Sequence, residues 1–180
     1  MENRDLLLSL LYKHTPSDQN ELQMWRDTIQ FIEQQPDCFE RTLSIGHVTG
    51  SAWIVDTKAQ KVLLMHHRKL DRWFQPGGHA DGESDILKVA LKEATEETGL
   101  TAVKIPRQAI FDVDVHLIPA NPREVAHYHY DIRFLLEADA TLPLVQNAES
   151  KQLAWIPYDQ VAEYNASESI VRMLRKTETL

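Results

Sequence analysis

Glu93, Glu96 and Glu97 stand at i, i+3 and i+4 in the run Lys92-Glu93-Ala94-Thr95-Glu96-Glu97-Thr98-Gly99. On a helix turning roughly 100° per residue, the three carboxylates fall inside one arc about 100° wide. Such a triple is often no more than a solvated acidic face, but two features set this one apart. Glu93 and Glu97 project on the side of Ile86, Val89 and Ala90, whereas Lys88, Lys92 and Thr95 take the polar side, so the acids border the buried face. All three also lie in the last two turns before Gly99, where the helix dipole is negative and each like pair costs roughly 0.2–0.5 kcal/mol even when exposed. With Lys92 directed elsewhere, the compensating charge is a divalent cation. Carboxylate, carbonyl and water oxygens are the donors that Mg2+ prefers, with Mn2+ as a substitute. Gly77 and Gly78, just upstream, permit backbone conformations that bring amide and carbonyl groups close to a metal-bound phosphate.

Other residues could meet the rest of an anionic ligand. His66-His67-Arg68-Lys69 and Arg72 lead into the glycine pair; Arg72 is the candidate for phosphate contact, against the alternative of a solvated strand end. Trp73 either stacks on a base or anchors the core. Further along, alternation on two strands puts Asp112, Asp114 and His116 on one face and His127, His129, Asp131 and Arg133 on the matching face of the next. Three readings compete for this surface. It is a solvated outer face, or a substrate-binding wall with His129 and Arg133 near phosphate, or a histidine-bound transition-metal site, for which the sequence fixes no third ligand. His79, beside Gly78, would link that surface to the glycine loop.

The elements that must position these groups follow from periodicity. From Asp5 to Gln35 apolar residues recur at helical spacing, Leu7, Leu10 and Leu11 in one group and Leu22, Trp25, Ile29 and Ile32 in another. Thr15-Pro16-Ser17-Asp18 separates two helices and Pro36-Asp37 ends the second. A strand hairpin is predicted over Gly46 to Val55 and Lys61 to His66. Trp73 to Glu83 reads as loop, and a helix from about Ser84 to Thr98 has Ser84 as N-cap and Gly99 as terminator. Two strands, Ile110 to Ile118 and Tyr128 to Leu136, flank the Pro119-Ala120-Asn121-Pro122 turn. A short strand at Leu153 to Ile156 and helices after Pro157 and Ser167 complete the chain.

With 180 residues and 43% hydrophobic content, one domain is the working count. The single Cys38 forms no internal disulfide, and a reducing cytoplasm is the expected compartment. The Leu6 to Leu11 run is too short for a membrane span. A net charge of −8 gives no overall attraction for long nucleic acid. Small anionic substrates, brought in with a metal ion, stay open to the chain.

The stretch Gly78 to Leu100 resembles the Nudix box: glycine, five residues, glutamate, seven residues, arginine-glutamate-apolar-any-glutamate-glutamate-any-glycine-apolar. Here it runs from Gly78 through Ser84 to Lys92-Glu93-Ala94-Thr95-Glu96-Glu97-Thr98-Gly99-Leu100. Ser84 stands where the family has its first glutamate, and Lys92 where it has arginine; in the family these positions brace loop against helix. Trp73-Phe74-Gln75-Pro76-Gly77 and Trp155-Ile156-Pro157 are also similar to the family, so the resemblance spans roughly Ser44 to Glu163.

The resemblance implies an α/β fold, a mixed sheet sandwiched between helices, with residues 1–40 as an N-terminal helical extension and 41–180 as the Nudix domain. It implies metal-dependent cleavage of a diphosphate linkage, with the Gly77 carbonyl, Glu93, Glu96 and Glu97 holding magnesium. The catalytic carboxylates would be Glu93, Glu97 and Glu149, with the base open between Glu93 and a loop-borne Glu149, whose alternative is an ordinary loop acid. Substrate would meet Arg72, Trp73, Gly78, His79, His129 and Arg133. Two alternatives have different chemistry: a nucleotide sensor without turnover, which the intact carboxylate triad opposes, and a prenyl diphosphate isomerase, which would need a better-placed cysteine than Cys38. The N-terminal helices cap the domain, cover the cleft or form a homodimer.

Overall fold

The computed structural model describes residues 2–122 and 124–179. Its elements are α1 (Glu2–Lys13), α2 (Gln19–Gln34), β1 (Gly46–Asp56), β2 (Lys61–His67), β3 (Arg72–Phe74), β4 (Gly77–His79), α3 (Ile86–Thr98), β5 (Asp112–Ile118), β6 (His127–Glu137), β7 (Ser150–Pro157), a 3-10 turn at Tyr158–Gln160, α4 (Val161–Tyr164) and α5 (Glu168–Thr177). Hydrogen-bonded strands follow the order β3-β2-β1-β6-β5, with β4 beside β1 and β7 beside β2. This is the expected α/β class, a mixed curled sheet with helices and a helical N-terminal part. The region expected to be loop carries two three-residue strands, β3 and β4, too short to show any alternation in the sequence. No helix among the described residues is long and apolar enough to cross a membrane.

The chain forms two compact units. The first comprises Met1–Ser51, Gly78–Ala90 and Ala109–Phe134. Here α2 starts at Asp18, whose carboxylate accepts the Glu21 N–H at 2.8 Å, a regular N-cap. The face predicted for α2 is rotated: Glu21, Met24, Thr28, Phe31 and Ile32 are buried, while Leu22, Trp25 and Ile29 are half-buried. The reason lies in the strand beneath. β5 ends the strand order, so its outward N–H groups have no neighbouring strand to accept them. Glu21 Oε1 accepts the Val113 N–H at 3.2 Å, and the Met24 sulfur lies 3.2 Å from the Val115 nitrogen. The helix therefore presents acceptors as well as apolar surface to β5. Phe31 stacks on Tyr130 with ring centroids 3.9 Å apart. α1 is tied to α2 by the Trp25 indole N–H donating to Leu11 O at 2.8 Å and by Arg4 donating to Ile32 O at 2.7 Å.

The second unit comprises Ala52–Gly77, Leu91–Gln108 and Leu135–Leu180. The predicted β1–β2 hairpin is present, with Val55 opposite Val62 and the turn fixed by Asp56 Oδ1, which accepts from the N–H groups of Lys58 and Ala59. β2 is antiparallel to both β3 and β7, so Val62, Leu63 and Leu64 are fully buried. Trp53 is fully buried, and its indole N–H donates to Thr177 Oγ1 of α5 at 2.8 Å. α3 ends at Gly99 as expected, at φ 74°, where a side chain would be strained and would also meet Val145. Its start differs. The helix begins at Ile86, and Asp85, not Ser84, turns its backbone carbonyl to the Lys88 N–H at 3.0 Å.

Glu21 is fully buried and accepts from His14 Nε2, the Ser17 N–H and hydroxyl, and the Val113 N–H. Glu21→Ala should lower unfolding stability by roughly 2–4 kcal/mol, because several buried donors lose their acceptor at once. Urea unfolding of the two proteins measures this. A loss below about 0.5 kcal/mol, the range of an ordinary surface change, would mean the β5 edge does not depend on α2.

Candidate active site

The carboxylate cluster lies in the second unit and is graded in exposure. Glu97 is 3% exposed, Glu93 is half-buried and Glu96 is exposed. The acids thus share a helix side, but only Glu97 is enclosed. Glu97 Oε2 accepts the Gly77 N–H at 2.9 Å, which fixes the carboxylate against the strand that carries the glycine. Burial, above all, pushes the Glu97 carboxyl up to about 8; the Gly77 hydrogen bond opposes this, while the charges of Glu93, Glu149 and Glu96 reinforce it. Gly77 and Gly78 lie extended in β4, without the positive φ of Gly46, Gly82 and Gly99. What Gly77 supplies locally is a directed amide.

Lys92, expected to point away from the acids, has its ammonium 3.7 Å from both Glu93 Oε1 and Glu96 Oε2. Its long stem swings along the helix surface where the wheel position alone suggests divergence. The side chain is 61% exposed, so each contact is worth roughly 0–1 kcal/mol at most. That pairing offsets part of the outer repulsion and leaves the burial of Glu97 uncompensated.

Glu149 is exposed on the segment before β7, close enough for its charge to raise Glu97. Arg68 grips that segment at three points: its N–H donates to Glu149 O at 2.7 Å, Nε to Ala148 O at 3.0 Å and Nη2 to Ser150 O at 3.0 Å. Sequence reasoning missed this positioning, because Arg68 and Glu149 are far apart in the chain and neither belongs to a motif. Arg72 is exposed on β3. Trp73 is half-buried; His66 stacks on its ring at 5.0 Å between centroids, Tyr164 approaches edge-on at 5.2 Å, and its carbonyl accepts from Asn165 Nδ2 at 2.7 Å. The anchoring role is therefore present whatever else the indole does.

Gly78, His79, His129 and Arg133 belong to the first unit. The β5–β6 register pairs Asp112 with Arg133, Asp114 with Asp131 and His116 with His129, so the polar face forms as predicted. It is not a solvated one. Asp112, Asp114, Asp131, Arg133 and His127 are all buried, whereas Leu117 and Tyr128 on the other face are exposed. The Arg133 guanidinium lies 3.2 Å from Asp112, 3.2 Å from Asp114 and 2.8 Å from Asp131, and Asp131 also accepts from the Thr49 and Ser51 hydroxyls. Arg133 thus faces carboxylates inside the protein. His79 and His129 are half-buried, each ring about 5 Å from that of His47. Cys38 is fully buried, and burial pushes its thiol up to about 11, which removes it as a reactive group.

A family model described as the NUDIX domain matches residues 47–176. Among curated proteins, a probable DHNTP pyrophosphohydrolase of Lactococcus lactis is 31% identical over 120 residues, which is 66% of this chain and 66% of that protein. A putative 8-oxo-dGTP diphosphatase of Mycobacterium tuberculosis is 28% identical over 107 residues, 56% of this chain and 46% of that protein. The chain thus spans less than two thirds of either relative. Among solved structures, a C. elegans Ap4A hydrolase in a binary complex aligns with TM-score 0.60 at 16% identity, covering 73% of this chain and 95% of that one. A MutT NUDIX hydrolase from Burkholderia pseudomallei aligns with TM-score 0.55 at 21% identity, covering 73% and 97%. At such identities the likeness is one of fold.

The Glu97 carboxyl titrates near 4.3 in an unfolded chain and at about 8 in the fold. Because the fold favours the protonated form, its contribution to stability is complete below the unfolded value and is lost as pH rises through the folded one. Buried histidines such as His47, held below their ordinary value, act in the opposite sense over the same window, so the Glu97 contribution is read as a difference: metal-free Glu97→Gln should gain in stability relative to metal-free wild type between about pH 4.5 and about pH 8. Thermal melts in chelator across this range test it. A difference that stays constant across the range would assign the titration to another group.

Proposed function

The chain belongs to the Nudix family, and from that premise we propose that it is a divalent-metal-dependent pyrophosphohydrolase acting on a small nucleoside diphosphate derivative. The observation that carries this reading is Glu97, a carboxyl that the fold buries, holds by the Gly77 amide and surrounds with Glu93, Glu96 and Glu149. An enclosed acid among acids, with one exposed lysine nearby, fits a site completed by a hard cation. Glu93, Glu96, Glu97 and the Gly77 carbonyl would hold Mg2+ or Mn2+. When bound, the ion neutralises the non-bridging and leaving-group oxygens of the diphosphate.

The chain's own residues supply the remaining steps. Ionised Glu97 is kept in place by the Gly77 N–H, and Lys92 restrains the outer pair Glu93 and Glu96. Glu149 is assigned as the base that takes a proton from the attacking water: it stands on a segment braced by Arg68, and its charge is felt at Glu97. Exposed Arg72 would meet the distal phosphate, and the half-buried indole of Trp73 would border the base. The two curated relatives are named for a pterin and a purine triphosphate, so a fused bicyclic base with a polyphosphate tail is the substrate class proposed first.

Hydrolysis of dihydroneopterin triphosphate, 8-oxo-dGTP, nucleotide sugars, ADP-ribose and dinucleoside polyphosphates should be compared with Mg2+, with Mn2+ and with chelator. Chelator should abolish turnover, and undiminished activity on metal-free protein would overturn the reading. Glu149→Gln should lower kcat by roughly 10²–10⁴-fold while leaving metal affinity within a few fold, as expected for a proton acceptor. Glu97→Gln should weaken metal binding as well as kcat. A Glu149→Gln enzyme with wild-type kcat would transfer the role of base to Glu93.

A further inference from the structure

Five histidines converge in the first unit. His47 lies near the start of β1, His79 ends β4, His116 is on β5, and His127 and His129 begin β6. The starts of β1 and β6 are held together by the Tyr128 N–H donating to Ile45 O at 3.1 Å. Gly46 permits the close approach, since a Cβ there would stand 2.6 Å from the Tyr128 carbonyl oxygen. We propose that His47, His127 and His129 form a binding site for a zinc-type divalent transition-metal ion, with the ring of His79 bordering its fourth position.

The geometry is that of a ligand set. One ring nitrogen from each of the three lies within 4.8 Å of the others. Nε2 of His127 and Nε2 of His129 are 3.3 Å apart. Two imidazole nitrogens bound at about 2.0–2.1 Å to a tetrahedral ion stand about 3.3 Å from each other. The Nδ1 of His127 lies 2.8 Å from Val125 O, and because a carbonyl only accepts, that nitrogen carries the proton. A proton held at Nδ1 leaves Nε2, which faces His129 Nε2, as the ring's donor atom toward an ion. A backbone carbonyl fixing the tautomer in this way is the usual outer partner of a metal-bound histidine.

His47 provides the independent observation. It is 3% exposed, and neither of its ring nitrogens has a hydrogen-bond partner. A buried imidazole with two unsatisfied nitrogens is costly, and the cost is relieved if one lone pair binds an ion. Nitrogen donors favour Zn2+, Co2+ or Ni2+ over Mg2+, which separates this site chemically from the carboxylates of the second unit. Nothing in the inference depends on the hydrolase reading.

The test uses the full metal-free chain in excess Mg2+, which occupies oxygen sites, titrated with Zn2+ by calorimetry. One Zn2+ should bind per chain and raise the melting temperature. His47→Gln and His129→Gln, if folded by circular dichroism, should each weaken Zn2+ by at least about tenfold. X-ray absorption on the wild-type zinc complex needs no variant and should find imidazole nitrogens at about 2.0–2.1 Å. An oxygen-only zinc shell, no Zn2+ bound in excess Mg2+, or unchanged affinity in both folded variants would overturn the proposal.

Discussion

A guanidinium buried among three carboxylates is the interaction on which the histidine-bearing hairpin depends. Arg133 on β6 reaches Asp112 and Asp114 across the β5 register and Asp131 along its own strand, and all four groups are buried. Desolvating such charges is unfavourable without a partner, and the three carboxylates share one guanidinium, so the cluster tolerates few alternative registers. A slip of one residue would send Arg133 to the opposite face and leave aspartates without a counter-charge. The hydroxyls of Thr49 and Ser51 extend the network to β1 through Asp131. With β1, β5 and β6 held by these contacts, His47, His116, His127 and His129 follow at fixed positions one or more residues away.

The second unit solves the same problem in the opposite way. The cation beside its acids, Lys92, remains at the surface. Glu97 is enclosed by the fold and held by one amide, so the isolated chain keeps it protonated at pH values where an ordinary glutamate is ionised. Arg133 shows a buried charge balanced permanently by side chains. Glu97 shows an acid that the fold encloses among other acids, and burial keeps it in the protonated form.

Legibility in the sequence followed the range of the interactions concerned. Glu93, Glu96 and Glu97 and their terminator Gly99 were readable because helix geometry and capping are local. The β5–β6 pairing was readable from alternation, but the burial of its polar face was not. Alternation predicts a polar side turned to water, and here Asp112, Asp114, Asp131 and Arg133 are buried together, while on the other face Val113, Ile132 and Phe134 are buried and Leu117 and Tyr128 lie exposed. The stripe on α2 was rotated for a related reason: its partner is a strand edge in need of acceptors, so Glu21 is buried where hydrophobicity would place Leu22 or Trp25. His47 and Arg68 were not picked out. His47 opens an alternation with Thr49 and Ser51 that marks a polar side of β1, but nothing local says that this side meets His127, some 80 residues on (127 − 47). Arg68 acts on carbonyls, which carry no mark in a sequence.

The acceptors that α2 lays along β5 also determine how copies of this chain behave toward one another. A bare terminal strand with free amides is a template for further strands, and a sheet that ends in one invites self-propagating assembly. Glu21 and Met24 block that template, and the helix bulk with α1 behind it keeps another backbone from approaching. The N-terminal helices thus cover a strand edge that would otherwise be open to pairing. A chain trimmed to the segment that matches the family, from residue 47 onward, would keep the glutamates and lose that protection, becoming prone to aggregate however intact its catalytic groups.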